Sequence, residues 1–285
     1  MRHHLLASTG LVSSAAISAA LLSLGATAAQ AETSISTART TSISTATASG
    51  TGTADDIKIT SAASITTSAD SAAVTINSNH KVLNEGTIKI TGRDNVNGIV
   101  AAAGVTSEIT NSATGKIILD ESYDPTDDDK DGDIDGDFAI GSGRVGIKTD
   151  GAFTGNITNA GSIQIEGNDS FGIKLGGALN GKFVNNGTIS VLGDNATGVE
   201  LGDVNTGGAA GSGNVRLAGT ISATGKNATA ARLNGNIGGT LEVQGTLTAT
   251  GYRYPTSPAD PSKLDADDLL IGGPVCGVIL CAATC

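Results

Sequence analysis

Between Asn159 and Leu201 the chain reads NAGSIQIEGNDSFGIKL and, after a short gap, NNGTISVLGDNATGVEL. Gly161 falls on Gly187, Ile163 on Ile189 and Gly172 on Gly198. A unit of this length cannot bury its apolar residues alone and has to stack on copies of itself. This repeat constrains the fold more tightly than anything else in the chain.

The repeat registers on the glycine that precedes each Thr/Ser/Lys-Ile step. Those glycines are Gly86, Gly115, Gly161, Gly187, Gly219 and Gly245, with Ala63 an earlier, weaker member, at spacings of 23, 29, 46, 26, 32 and 26 residues. Three apolar alternations recur in each unit. The first contains Ile88/Ile90, Ile117/Leu119, Ile163/Ile165, Ile189/Val191, Ile221/Ala223 and Leu247/Ala249. The second contains Ile99, Ile147, Ile173/Leu175, Val199/Leu201 and Ala231/Leu233, and the third Ile109, Ile157, Phe183, Val215 and Leu241. Period two places alternate side chains on opposite faces of a strand. A meander of hairpins is the rival arrangement, but hairpins would not keep one residue type at one place in every unit. Stacked coils do. The residues therefore predict an all-β parallel β-helix of three short strands per coil and about 6–7 coils. Asn84, Asn111, Asn159 and Asn185 mark the corner before the first strand, where Asn tolerates left-handed angles and its amide can bond along a stack.

Composition agrees and excludes some functions. Gly is abundant (40), while Phe (4), Tyr (3) and Trp (0) cannot fill a large core. Lys+Arg 17 against Asp+Glu 28 leaves a net charge of −11. That balance argues against nucleic acid or an anionic membrane surface as partner. Cys276, Cys281 and Cys285 all lie in the last ten residues, so the body has no disulfide framework. Asn-x-Thr triplets at Asn156, Asn186, Asn195 and Asn227 match glycosylation acceptors, but a repeat that needs Asn at turns and Thr in strands generates them anyway.

Residues 1–31 read as a secretory signal peptide. A basic start at Arg2–His4 leads to an apolar run through Leu24 and an Ala29-Gln30-Ala31 cleavage pattern. The mature chain then has no membrane-spanning segment. Residues 32–55 read as a solvated, disordered Ser/Thr-rich linker, 56–254 as the β-helix, and 255–285 as an irregular tail.

One interval is out of line. Gly115 to Gly161 holds 46 residues where 26 is usual, and the excess is an acidic loop, 121–138. Asp127, Asp129, Asp131, Gly132, Asp133 and Ile134 follow the first eight positions of a calcium loop, with Asp135 and Asp137 next. Position twelve is Phe138 rather than Glu, and no helices flank the loop, so it is not an EF-hand. A solvated acidic loop is the bland alternative. Seven carboxylates within eleven residues nevertheless repel one another without a counter-ion. Weak calcium binding of the extracellular, millimolar kind is expected at Asp127, Asp129, Asp131, Asp133, Asp135 and Asp137.

Catalytic signals are sparse, and no enzymatic activity is expected. Once the signal is removed, His80 is the remaining histidine, and it sits at a turn. The outward position of the second alternation reads Lys148, Lys174, Glu200, Arg232, and that of the first reads Lys89, Gln164, Ser190, Ser222, Thr248. Neither gives an acidic cluster. A groove with three or more carboxylates and a Lys or Arg across adjacent coils would instead favour a polysaccharide lyase or glycosidase.

The signal peptide, the Thr/Ser-rich lead and the units NEGTIKITG, NAGSIQIEG and NNGTISVLG together resemble bacterial autotransporter passenger domains. The resemblance covers about residues 1–270. The stretches DKDGDIDGDFAIGSGRVGIK and GTLTATGYRYP…KLDADDLLIGG are similar to alphaproteobacterial members. It implies a right-handed β-helix, an outer-membrane β-barrel translocator as partner, and a cell-surface role as scaffold or adhesin toward host or neighbouring-cell ligands. A member of that family would continue into its barrel. The tail IGGPVCGVILCAATC breaks style, which suggests a truncated or out-of-frame end, and a short form without translocator would stay in the periplasm.

Overall fold

The computed structural model describes residues 31–68, 71–128, 130, 135–206, 212–251 and, for backbone alone, 276–280. The signal peptide up to Gln30, the tail at 252–275 and 281–285, and Asp129, Asp131 and Asp133 of the expected calcium set lie outside the described residues.

Among the described residues every strand pairs parallel with the strand one coil away, in three eight-stranded sheets and one three-stranded sheet. The first sheet stacks Ile57, Val82, Ile109, Ile157, Phe183, Val215 and Leu241 in register. The second stacks Ile65, Ile88, Ile117, Ile163, Ile189, Ile221 and Leu247. The third stacks Val74, Ile99, Ile147, Ile173, Val199 and Ala231. All three expected alternations are ladders, and these side chains are buried except at the last coil. The chain is a right-handed parallel β-helix, the handedness parallel crossovers adopt. At about 1.5–3 kcal/mol for each fully buried aliphatic side chain, no single coil holds enough apolar area to stand alone.

The glycines that mark the repeat are needed because the coils approach closely. A Cβ on Gly187 or Gly219 would meet the carbonyl oxygen of Gly161 or Gly187, one coil earlier. On the third sheet, a Cβ at Gly172 or Gly198 would strike the Cγ2 of Ile189 or Ile221 from the second sheet. The column is thin, and one strand face is emptied so that the opposite ladder can fill it.

The structure departs from expectation in four places. Residues 32–55 are not a linker. Glu32–Ile35, Ala38–Arg39 and Ile43–Ser44 form a first coil that pairs with the next, with Ile35 and Ile43 buried. Two Ile across the three strands suffice there, because the neighbouring coil supplies the backbone partners and polar groups bond each other. The hydroxyl of Thr33 donates to buried Asp55 (2.7 Å), and that of Ser78 to buried Thr45 (2.8 Å). Among the described residues the coils consequently number eight, not 6–7. Within the expected irregular tail, Cys276–Leu280 is a strand pairing with Thr229–Leu233. Finally, a short fourth side (Phe153–Thr154, Leu179–Asn180, Val204–Asn205) is added to the expected three, with Phe153, Leu179 and Val204 buried.

The asparagine corner stands in one half of its reading. Asn84, Asn111, Asn159 and Asn185 are wholly buried and form an amide ladder, each Nδ2 donating to the next Oδ1 at 2.7–2.8 Å. None of the four has a positive φ. The left-handed angles fall at the next corner, on Asn95, Asp169, Asn195 and Asn227 (φ 51–58°). Among the described residues no helix is long and apolar enough to cross a membrane.

Candidate functional site

The acidic insertion grows from the corner between the second and third strands. In coils five to seven that corner is four residues long: Gly167–Ser170, Gly193–Ala196 and Gly225–Ala228. Each bends through a left-handed third residue, Asp169, Asn195 or Asn227. In coil four the same corner runs from Glu121, after strand Lys116–Asp120, to Arg144, before strand Val145–Thr149.

Arg144 holds both ends of this insertion. It takes the place occupied by small buried residues (Ser170, Ala196, Ala228) in later coils, and its side chain is only 2% exposed. Its guanidinium pairs with Glu121 Oε2 at 3.3 Å and with Asp94 Oδ1 at 3.1 Å. Its Nε donates to the carbonyl of Arg93 (2.7 Å), and a terminal nitrogen donates to the carbonyl of Glu166. One side chain thus spans coils three, four and five. Glu121, with 3% of its side chain exposed, accepts the backbone N–H groups of Ile140 (3.0 Å) and Gly141 (2.6 Å). The Ser142 N–H donates to Asp94 (2.9 Å), and Asn168 of the next coil donates to the Ala139 carbonyl (2.6 Å). A carboxylate at the loop's start is bonded to the amides at its finish.

Asp120 and Glu166 end adjacent strands of the second sheet beside this pair. The Glu166 carboxyl is pushed up to about 8. Burial is the largest cause, followed by its hydrogen bond with Asp120 and the charges of Asp120 and Glu121, while Arg144 pulls the other way. Burial and neighbouring negative charge both disfavour an ionised carboxyl, which explains the direction.

The expected calcium residues are placed in part. Of the six, Asp127, Asp135 and Asp137 fall in the described loop. The loop is pinched where the Asp135 N–H donates to the Thr126 carbonyl (3.1 Å) and the Asp128 N–H donates to the Asp135 carboxylate. Among the described residues no group of three or more His, Cys, Asp or Glu is arranged to hold a metal ion.

The third sheet's outward charges pair locally. Glu200 lies between Lys174 (3.7 Å) and Arg232 (3.2 Å), and Lys174 sits 3.9 Å from the Phe171 ring centroid. His80 Nδ1 meets Ser78 Oγ at 3.1 Å, but that hydroxyl is committed to Thr45.

An acidic cluster forms outside the two outward columns read from the sequence. Asp94, Asp120, Glu121 and Glu166 gather around Arg144 on three successive coils. Reading only the strand positions missed it, since all but Asp120 and Glu166 lie in corners. A signal was available: Arg144 occupies a register position that takes Ser170, Ala196 and Ala228 in the later coils. Chemically, the cluster can anchor a loop and hold a proton. With its guanidinium sealed, Arg144 is a fastener rather than a group facing a ligand.

The sequence profile of the BigA third pectate lyase-like domain fits residues 7–213, well over half of the 285. No curated protein and no solved structure matches. The matched span holds six of the eight coils and the whole of the expanded corner, and the chain belongs to the family of the BigA third pectate lyase-like domain.

Proposed function

We propose that this chain is the β-helical part of an exported, autotransporter-like bacterial surface protein, acting without catalysis as a rigid spine that presents its loops to ligands. The observation that carries this reading is the stack of eight coils whose outward positions are hydroxyls, amides and locally paired charges, elaborated by one clasped acidic corner. Family membership and the signal-type N-terminus support export, and the partners would be an outer-membrane barrel and a surface ligand. Cell fractionation with identification of the mature N-terminus tests it. Surface exposure with cleavage after Ala31 is expected, and retention in the cytoplasm with Met1 intact would end the proposal.

A second reading has one observation in its favour. The Asp120–Glu166 pair places two carboxyl groups side by side at the ends of adjacent strands, as a carbohydrate-active β-helix would need. Incubation with acidic polysaccharides, comparing wild type with Asp120→Asn and Glu166→Gln, separates the two. Product formation lost in both variants would favour the enzyme.

Calcium at Asp127, Asp129, Asp131, Asp133, Asp135 and Asp137 belongs to the same proposal, as an ordering ion for the loop. Millimolar calcium should slow proteolysis near Asp131, and unchanged cleavage would remove the site.

A further inference from the structure

Asp120 and Glu166 stand at the same outward place on neighbouring parallel strands, about 4.8 Å apart by the spacing of a sheet. Like charges so placed destabilise a sheet unless something intervenes. What surrounds Glu166 is asymmetric. Toward coil four lie Asp120, Glu121 and Arg144, with Asp94 and the Arg93 carbonyl beyond. Toward coil six its register partner is the uncharged Leu192, and its own corner contributes Asn168 and Asp169. Arg144 already bonds the Glu166 main-chain carbonyl, so an ionised Glu166 would compete for the guanidinium that neutralises buried Glu121. Glu121 is in turn what holds the Ile140 and Gly141 amides.

We propose that the Asp120–Glu166 pair is a proton-operated clasp on the root of the acidic insertion. Closed, it shares one proton and leaves Arg144 committed to Glu121 and Asp94. Opening, which frees Ile140–Ser142, is coupled to loss of that proton. The sign follows from the closed-state Glu166 carboxyl lying near 8 against its usual 4.5. Between those values the open form has given up a proton that the closed form keeps, so raising the pH favours opening. The opening constant should climb toward tenfold per pH unit in that window and level off above about 8. Acid holds the loop down, and mildly alkaline medium releases it.

Hydrogen exchange on the full chain tests this, with protection factors corrected for intrinsic rates. The Ile140 and Gly141 amides should lose protection by close to tenfold per pH unit from about 5 to 8, and then plateau. Glu166→Gln, which keeps a hydrogen-bonding group but cannot ionise, should flatten the profile. The Ile163 amide in the column should show no such step in either protein. Equal profiles in wild type and variant, or a parallel loss at Ile163, would overturn the clasp. Should Glu166→Gln fail to fold, a carboxyl carbon-13 titration of wild-type Glu166 decides. A midpoint near 8 supports the clasp, and one in the usual carboxylate range ends it.

Discussion

The corner at Gly193–Ala196 and the corner at Glu121–Arg144 do the same geometric job in two ways. The short corner turns the chain with one left-handed Asn, and its stability comes from repetition. Asn227 donates to Asn195 (3.0 Å), Asn195 donates to Asp169 (2.9 Å), and the Lys226 N–H donates to Asp194 (3.0 Å), each reaching one coil along. The expanded corner keeps only its returning end, Gly141–Gly143, bonded in register to the corners on either side. It replaces the exposed amide ladder with a buried guanidinium that reaches three coils and a buried carboxylate that bonds its own returning backbone. A repeat is held cheaply by its neighbours, whereas an exception to it needs a concentrated polar anchor. Buried anchors of that kind are costly to break and easy to replace as a unit.

Four experiments would sharpen or break this contrast. The largest effect is expected from Arg144→Ala, which leaves the Glu121 carboxylate buried without its cation. About 3–5 kcal/mol should be lost in urea unfolding, and an Arg144→Met/Glu121→Gln pair should recover part of it. A loss below 1 kcal/mol would mean that the pair is not an anchor. Next is Asn159→Leu in the buried ladder. It strands the Asn111 Nδ2 donor and the Asn185 Oδ1 acceptor, at about 1–3 kcal/mol for each unsatisfied group. A midpoint unchanged in the same unfolding experiment would show the ladder to be ornamental.

Grafting Gly-Asp-Asn-Ala in place of residues 121–144 removes anchor and loop together. It should shift stability by no more than about 2 kcal/mol in either direction, since loop length itself enters slowly. Circular dichroism showing loss of the sheet would mean that the insertion is part of the column. The smallest effect belongs to Asn195→Ala in the exposed ladder, about 1 kcal/mol or less. If that loss instead matched Asn159→Leu, burial would not be what separates the two corners.

Much of this molecule could be read from its letters. Ile163 over Ile189 and Gly161 over Gly187 are visible as spacing, because a parallel stack puts one register position above another in every coil. The length of the insertion was legible for the same reason. The first coil was missed because Ile35 and Ile43 stand among Ser and Thr that look solvated when counted, although the coil above supplies their bonds. The anchoring cluster was missed because its members come from positions 94, 120, 121, 144 and 166, which no local window joins.

The one-dimensional pattern therefore determined the coil, its ladders and the place where the pattern is interrupted, since each depends on a periodicity that the chain carries along itself. Tertiary structure alone decided that Arg144 is buried, that Glu121 faces it, and that the Glu166 carboxyl is hydrogen-bonded to Asp120. Charge pairing and burial depend on distance through space, and stacking brings together residues of three coils that are tens of positions apart in the chain.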